Sequence, residues 1–174
     1  LDPIMFTPGE IPHPQWSDLN EVKLSSTSTL PPTNGFHTDT SFVERPPSYT
    51  CLLPRRLSSR GGDTVFANQY MAYEALSPVM QNMLKAVRFK HKAAQLKHLD
   101  EAPEHPVSHP AVRTHPISNR KSLYITQPQR CSEVEGMTHK ESANLLEFLY
   151  AHCQHVYAMY RHHWQMDDVV LWDN

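Results

Sequence analysis

Short apolar runs bounded by turn residues predict strands at Tyr49–Leu53, Thr64–Ala67, Leu123–Ile125 and Val169–Trp172. A further strand is expected within 161–172, ahead of a Met-Asp-Asp turn. The segment from Phe36 to Val43 has apolar flanks that suit a strand wall, and Pro46-Pro47 close it. Helical spacing appears in three places. Asn68 can cap a helix over about 69–76. Ser77-Pro78 opens a second helix, with Val79, Met83, Leu84 and Val87 on one side. Thr138-His139-Lys140-Glu141 reads as a capping box that starts an amphipathic helix running to about Tyr157, with Leu145, Leu146, Phe148 and Leu149 inward. Residues 1–16 are Pro-rich and expected to be extended or looped, and 25–35 read as a loop. Residues 91–119, rich in His, Pro and charge, read as a long excursion and a candidate lid or mobile loop. Strands, two helices, a loop, a strand, a helix and more strands make a sheet core with helices outside it, not alternating βαβ units.

The length suits a single domain over 1–174. Net charge is -2 with His neutral, and no Lys/Arg stripe exists, so nothing favours nucleic acid or an anionic membrane. No apolar run approaches membrane-spanning length. Cys51, Cys131 and Cys153 are far apart and form no C-x-x-C, which favours a reducing, cytoplasmic compartment. The chain opens on Leu1 and closes on a strand-like run at Asn174, so it is expected to cover part of a longer polypeptide.

The candidate chemistry sits at His37 and Asp39. Two residues apart on an extended segment, their side chains share a face. Imidazole and carboxylate can then close on one metal, two-thirds of the two-His-one-carboxylate set of non-haem Fe(II) oxygenases. H-x-D alone recurs by chance in many proteins, and this chain has twelve histidines. His105, His109 and His115 have tempting spacings, but each precedes a Pro, so the run is extended and not a ligand-presenting helix. His162 and His163 are strand neighbours and must face opposite sides, one of them inward.

Five ordered segments carry a resemblance. They are Gly35–Phe42, Arg60–Thr64, Tyr73–Ser77, His109–Pro116, and Trp164 with Val169–Asn174. Together they resemble the taurine dioxygenase and 2,4-dichlorophenoxyacetate dioxygenase family of Fe(II)/2-oxoglutarate-dependent oxygenases, from about His13 to Asn174, with the sulfonate-cleaving branch the nearest in look. The resemblance implies a mainly β fold with flanking α, a double-stranded β-helix (jelly roll), incomplete at the C-terminal end. It implies Fe(II) held by His37 and Asp39, and Thr64 bonded to the distal carboxylate of 2-oxoglutarate. His13 and Trp16 fall where the taurine branch contacts substrate, and Thr40 would offer its backbone N–H to substrate. The family's second His ligand and its 2-oxoglutarate-binding Arg would lie past Asn174.

The reading is an Fe(II)/2-oxoglutarate dioxygenase that hydroxylates a small, anionic, sulfonate-like substrate and yields succinate and CO2. The alternative is a catalytically inactive jelly-roll relative acting as a binding or scaffold protein. A Zn hydrolase fits poorly, since no H-E-x-x-H or closed ligand set is present. The expected partner is a small molecule, and a homo-oligomeric assembly stays open.

Overall fold

A computed structural model describes residues 12–13, 16–20, 35–93 and 105–174. Strands β1 (Pro12–His13) and β2 (Trp16–Asn20) pair antiparallel, β1 lying within the Pro-rich stretch expected to be extended or looped. Then come β3 (Tyr49–Leu52), β4 (Thr64–Ala67), α1 (Gln69–Glu74) and α2 (Pro78–Leu84). Strands β5 (Arg88–His91), β6 (Val107–Pro110), β7 (Val112–Thr114), β8 (Lys121–Leu123) and β9 (Cys131–Val134) follow. The chain ends with α3 (His139–Cys153), a 3-10 turn (Val156–Ala158), β10 (Met159–His162) and β11 (Val170–Asp173).

All pairing is antiparallel, and much of it is distant in sequence. Strand β3 pairs with β11 through Leu52–Val170 and Tyr49–Asp173, and β4 pairs with β10 through Thr64–His162. β5 lies between β6 and β9, and β7 pairs with β8. The sheets do not close among the described residues. The core lies between β5, β8, β9 and the helices: Leu84, Phe89, Leu123, Leu146 and Leu149 are all but inaccessible. Removing one such side chain, as in Leu149→Ala, costs about 2–5 kcal/mol.

The caps form as the sequence implies. Asn68 Oδ1 accepts the amides of Tyr70 and Met71, Ser77 Oγ accepts Met80 N–H, and the Thr138–Glu141 box is complete in both directions. Each satisfies backbone donors that the first helical turn leaves orphaned. The inward faces are narrower than expected. In α2 only Leu84 is buried while Val79 is exposed, and in α3 Phe148 lies outside, stacked on His152. Helix α3 also stops at Cys153, short of Tyr157.

Two expectations are corrected. The Phe36–Phe42 segment is not a strand; it is irregular backbone that enters a turn at Asp39, and Thr40 adopts a φ of 49°. The 91–119 stretch is not one long excursion, since it contains the end of β5 and the whole of β6 and β7. His-Pro dipeptides bias the preceding residue toward extended backbone, which is what a strand needs. Pro110 then ends β6, an edge strand, where its missing N–H costs no ladder bond. The lid reading is left with 94–104, which lie outside the described residues. No helix among the described residues is long and apolar enough to cross a membrane.

Candidate functional site

His37 and Asp39 come together even though they do not sit on a strand. Nε2 of His37 lies 3.2 Å from Oδ1 of Asp39, with both side chains about one-quarter exposed. Long-range hydrogen bonds hold the irregular segment in place. Thr38 is fastened twice: its N–H donates to Thr126 Oγ1 at 3.3 Å, and its hydroxyl donates to the Ile125 carbonyl at 3.2 Å. The Tyr150 hydroxyl, on α3, donates to the Phe36 carbonyl at 3.1 Å. Gly35 makes this docking feasible. Its φ is +127°, and a Cβ there would stand 3.0 Å from the Tyr150 hydroxyl oxygen.

Beyond Asp39 the chain dives inward. Thr40, Ser41 and Phe42 are buried, and His109 Nε2 donates to the carbonyls of Ser41 (2.9 Å) and Val43 (3.0 Å). The positive φ of Thr40 makes this sharp change of direction, a conformation that a β-branched residue adopts only under external constraint.

Each member of the pair has its outer atom occupied. His37 Nδ1 faces the Gly35 carbonyl at 3.1 Å, which places a proton on Nδ1 and turns Nε2 toward Asp39. Asp39 Oδ2 accepts the Thr50 hydroxyl at 2.8 Å, leaving Oδ1 for Nε2. Thr50 in turn accepts from Asn174 Nδ2 at 2.7 Å, and Asn174 also bonds to Ser48 and Pro47. The hydrogen bond to Asp39 raises the pKa of His37 above its ordinary value, although burial works against it. For Asp39, burial pushes upward but is outweighed by the bonds from His37 and Thr50, so the carboxyl titrates below its ordinary range. Asp39 is therefore a carboxylate at neutral pH.

A ring nitrogen and a carboxylate oxygen facing each other at 3.2 Å need an electropositive species between them: a proton, or a metal ion in its place. Two ligands at right angles on a metal with bonds of about 2.1 Å stand about 3 Å apart. A backbone carbonyl on the ring's other nitrogen is the usual support of a metal-binding His. The pair fits a divalent metal on all three counts. Among the described residues no third His, Cys, Asp or Glu completes a metal-holding group with them.

The other predicted positions fall as follows. Thr64 opens β4, and its Oγ1 accepts the indole N–H of Trp164 at 2.9 Å, which leaves its own hydroxyl proton to donate elsewhere. Phe66 shares Thr64's face of β4 and meets the ring of Trp172 on β11 at 5.3 Å. The backbones of His13 and Trp16 pair in the β1–β2 hairpin, while their side chains lie outside the described residues. His109 is a buried clamp, His115 pairs with Asp173 at 3.1 Å, and His105 is exposed, so the three form no metal cluster. His162 and His163 diverge as expected: His162 is mostly covered and bonds Asp168, while the exposed His163 bonds Asp63. A groove lined by Val43, Glu44, Arg88, His105, Val107 and Ser108 contains none of the predicted site residues.

Sequence reasoning missed Thr50, Thr126 and Tyr150. Only Thr50 left a signal. It lies on a predicted strand just past the Pro46-Pro47 break, where the chain can return past Asp39.

The alpha-ketoglutarate-dependent 2,4-dichlorophenoxyacetate dioxygenase of Cupriavidus pinatubonensis is 36% identical over 148 residues, which is 80% of this chain and 51% of that protein. The alpha-ketoglutarate-dependent sulfonate dioxygenase of Saccharomyces cerevisiae is 33% identical over 148 residues, 80% of this chain and 36% of that protein. The chain thus spans about half of the first relative's length and less of the second's. Among solved structures, AAD-2 in complex with Mn(II) and N-oxalylglycine superposes with a TM-score of 0.71 at 30% identity, covering 79% of this chain and 57% of that one. The strands and flanking helices are those of the jelly-roll class, unclosed among the described residues. A family model matches residues 3–174, and the chain belongs to the taurine catabolism dioxygenase TauD, TfdA family.

Proposed function

We propose that this chain supplies the His-x-Asp half of the metal centre of an Fe(II)/2-oxoglutarate-dependent dioxygenase acting on a small organic acid. One observation carries the reading. His37 Nε2 and Asp39 Oδ1 converge to 3.2 Å while Gly35 and Thr50 already hold their outer atoms. Such a pair is built to accept a cation, not merely to make a surface ion pair.

In this reading His37 and Asp39 hold the metal. Bound Fe(II), with 2-oxoglutarate and O2, supplies the oxidation, in which a substrate C–H becomes C–OH and 2-oxoglutarate becomes succinate and CO2. Thr50 keeps Oδ2 of Asp39 engaged, so the carboxylate binds through one oxygen and keeps its orientation. Gly35 fixes the tautomer of His37. Thr64 donates its remaining hydroxyl proton to a carboxylate oxygen of 2-oxoglutarate, steadied by Trp164. Thr40, beside Asp39, is the residue whose backbone N–H would meet substrate. His13 and Trp16 remain candidate substrate contacts from the β1–β2 hairpin. The names of the relatives support an anionic substrate, since they act on phenoxyacetate and sulfonate compounds.

The test is spectroscopic. The protein carrying this sequence, mixed anaerobically with Fe(II) and 2-oxoglutarate, is expected to show the weak metal-to-cofactor charge-transfer band. His37→Ala and Asp39→Ala are each expected to lose it. A variant that keeps the full band removes that residue as a ligand.

A further inference from the structure

Every arginine of this chain except Arg130 is exposed. Several of the exposed ones are also partnered: Arg88 with Ser108 and Glu135, Arg120 with Glu74, Arg161 with Asp63. Arg130 is half-buried, its Nε is shut off from solvent, and its guanidinium has no hydrogen bond or ion pair among the described residues. Burial disfavours the guanidinium charge, the nearby Asp39 carboxylate offsets only part of that, and the Nε–H is left without an acceptor. A folded protein tolerates that cost where the group meets an acceptor in the working state.

The backbone places this residue beside the site. Ile125 and Thr126 are bonded to Thr38, one residue from His37. A tight turn follows, in which the amides of Arg130 and Cys131 both donate to the Gln127 carbonyl at 2.8 and 3.0 Å. The Gln127 side chain lies against Gly35, 3.6 Å from where a Cβ would stand. The Arg130 carbonyl is pinned in turn by Lys92 N–H at 2.8 Å. Arg130 thus leaves a turn that abuts the His37 loop, and its charge is felt at both His37 and Asp39, lowering the proton affinity of each.

A planar, permanently charged fork with unused donors matches a carboxylate, sulfonate or sulfate group. We propose that Arg130 is an anion-binding residue of this site, pairing with the acid group of the small molecule held beside His37 and Asp39. The identity of that molecule rests on the proposed function; the anion rests on the unpaired, half-buried guanidinium and the place of its turn against the His37 loop. The same chemistry could come from the acid group of substrate or from a carboxylate of 2-oxoglutarate.

The experiment follows the Arg130 Nε–H resonance by NMR, assigned with Arg130→Met. Metal-free protein is titrated with methanesulfonate and with acetate, and both are expected to shift the resonance and slow its exchange. Arg130→Lys keeps the charge without the fork and is expected to bind both anions more weakly. Arg130→Met should melt no lower than the parent, since it removes an unpaired buried donor. The titration is then repeated with Mn(II) and N-oxalylglycine bound. If methanesulfonate still shifts the resonance, and Arg130→Met leaves N-oxalylglycine affinity within about twofold, the anion is that of substrate. If the response is blocked and that affinity falls about tenfold, the anion is the cofactor's carboxylate. A resonance that neither anion moves at concentrations where exposed arginines respond overturns the proposal. So does an Nε–H already protected before any anion is added, which would show an internal acid filling the place. Anion response without any Mn(II)–N-oxalylglycine binding would instead uphold Arg130 and sink the proposed function.

Discussion

His37 keeps an acceptor at each ring nitrogen, and His91 keeps none. His37 lies between the Gly35 carbonyl and the Asp39 carboxylate on irregular, partly exposed backbone. His91 is fully buried on β5, both nitrogens unpartnered among the described residues, packed at 5.2 Å against the ring of His109 and at 5.4 Å against Tyr124. The electrical outcomes are opposite. Asp39 raises the proton affinity of His37, whereas burial, with His109 and Arg113 nearby, lowers the His91 pKa to about 3. The same residue type is thus a hydrogen-bonded imidazole, the proposed metal ligand, in one place and a neutral aromatic filler in the other. Partners, and not the abundance of histidine, make the chemistry.

Phenylalanine at both positions is the sharpest way to break this contrast. His37→Phe is expected to weaken Mn(II) binding more than about 100-fold, beyond the loss typical of a supporting residue, while changing the melting temperature little. His91→Phe is expected to leave Mn(II) binding intact and to stabilise the protein at neutral pH by about 1 kcal/mol, since two orphaned nitrogens disappear. Paramagnetic titration and thermal melts measure the two effects. Equal metal affinity in both variants would erase the distinction.

The pH profile is the next effect in size. Between pH about 3 and 6.5 the unfolded chain binds a proton at His91 that the folded chain refuses, so stability falls as pH falls through that window. By pH 5 the loss from this one residue is about 2 kcal/mol. His109 is depressed as well, burial outweighing its bonds to Ser41 and Val43, and adds in the same direction. Denaturant melts at pH 7.5 and 5 should show the difference shrinking in His91→Phe. A profile unchanged by that substitution would mean that His91 is not the group refusing the proton.

Thr126→Val tests how the His37 loop is moored. It keeps shape but removes the acceptor of Thr38 N–H at a buried position, for an expected cost of about 1–2 kcal/mol with weaker Mn(II) binding. Thr138→Ala, which breaks the α3 capping box, should cost about 1 kcal/mol and leave Mn(II) affinity alone. If both variants affect the metal equally, the mooring is not local to the loop.

The parts of this molecule that local chemistry dictates were legible in its sequence. Asn68, Ser77 and Thr138 announced three helix starts because a cap needs only its own few residues. The His37–Asp39 pairing was legible too, but by another geometry than the period of a strand. The side chains converge because distant residues Ile125, Thr126, Tyr150 and His109 hold an irregular loop, and nothing within Phe36–Phe42 encodes those partners. The β5–β6 pairing was hidden because its residues are polar and Pro-bearing, and its stability comes from facing Phe89 into a core assembled elsewhere. Arg130 was illegible for a related reason, since only its burial distinguishes it from the other arginines.

Gly35 has a consequence for how this molecule can vary. Its backbone sits where side chains strain, and a Cβ there would press on the tip of Tyr150 at 3.0 Å. A saturation library screened for folded protein should return glycine at 35 almost alone, and changes at 150 should be tolerated only when they retreat from it. Substitutions at 35 and 150 are therefore expected to be coupled, since each limits the room left to the other.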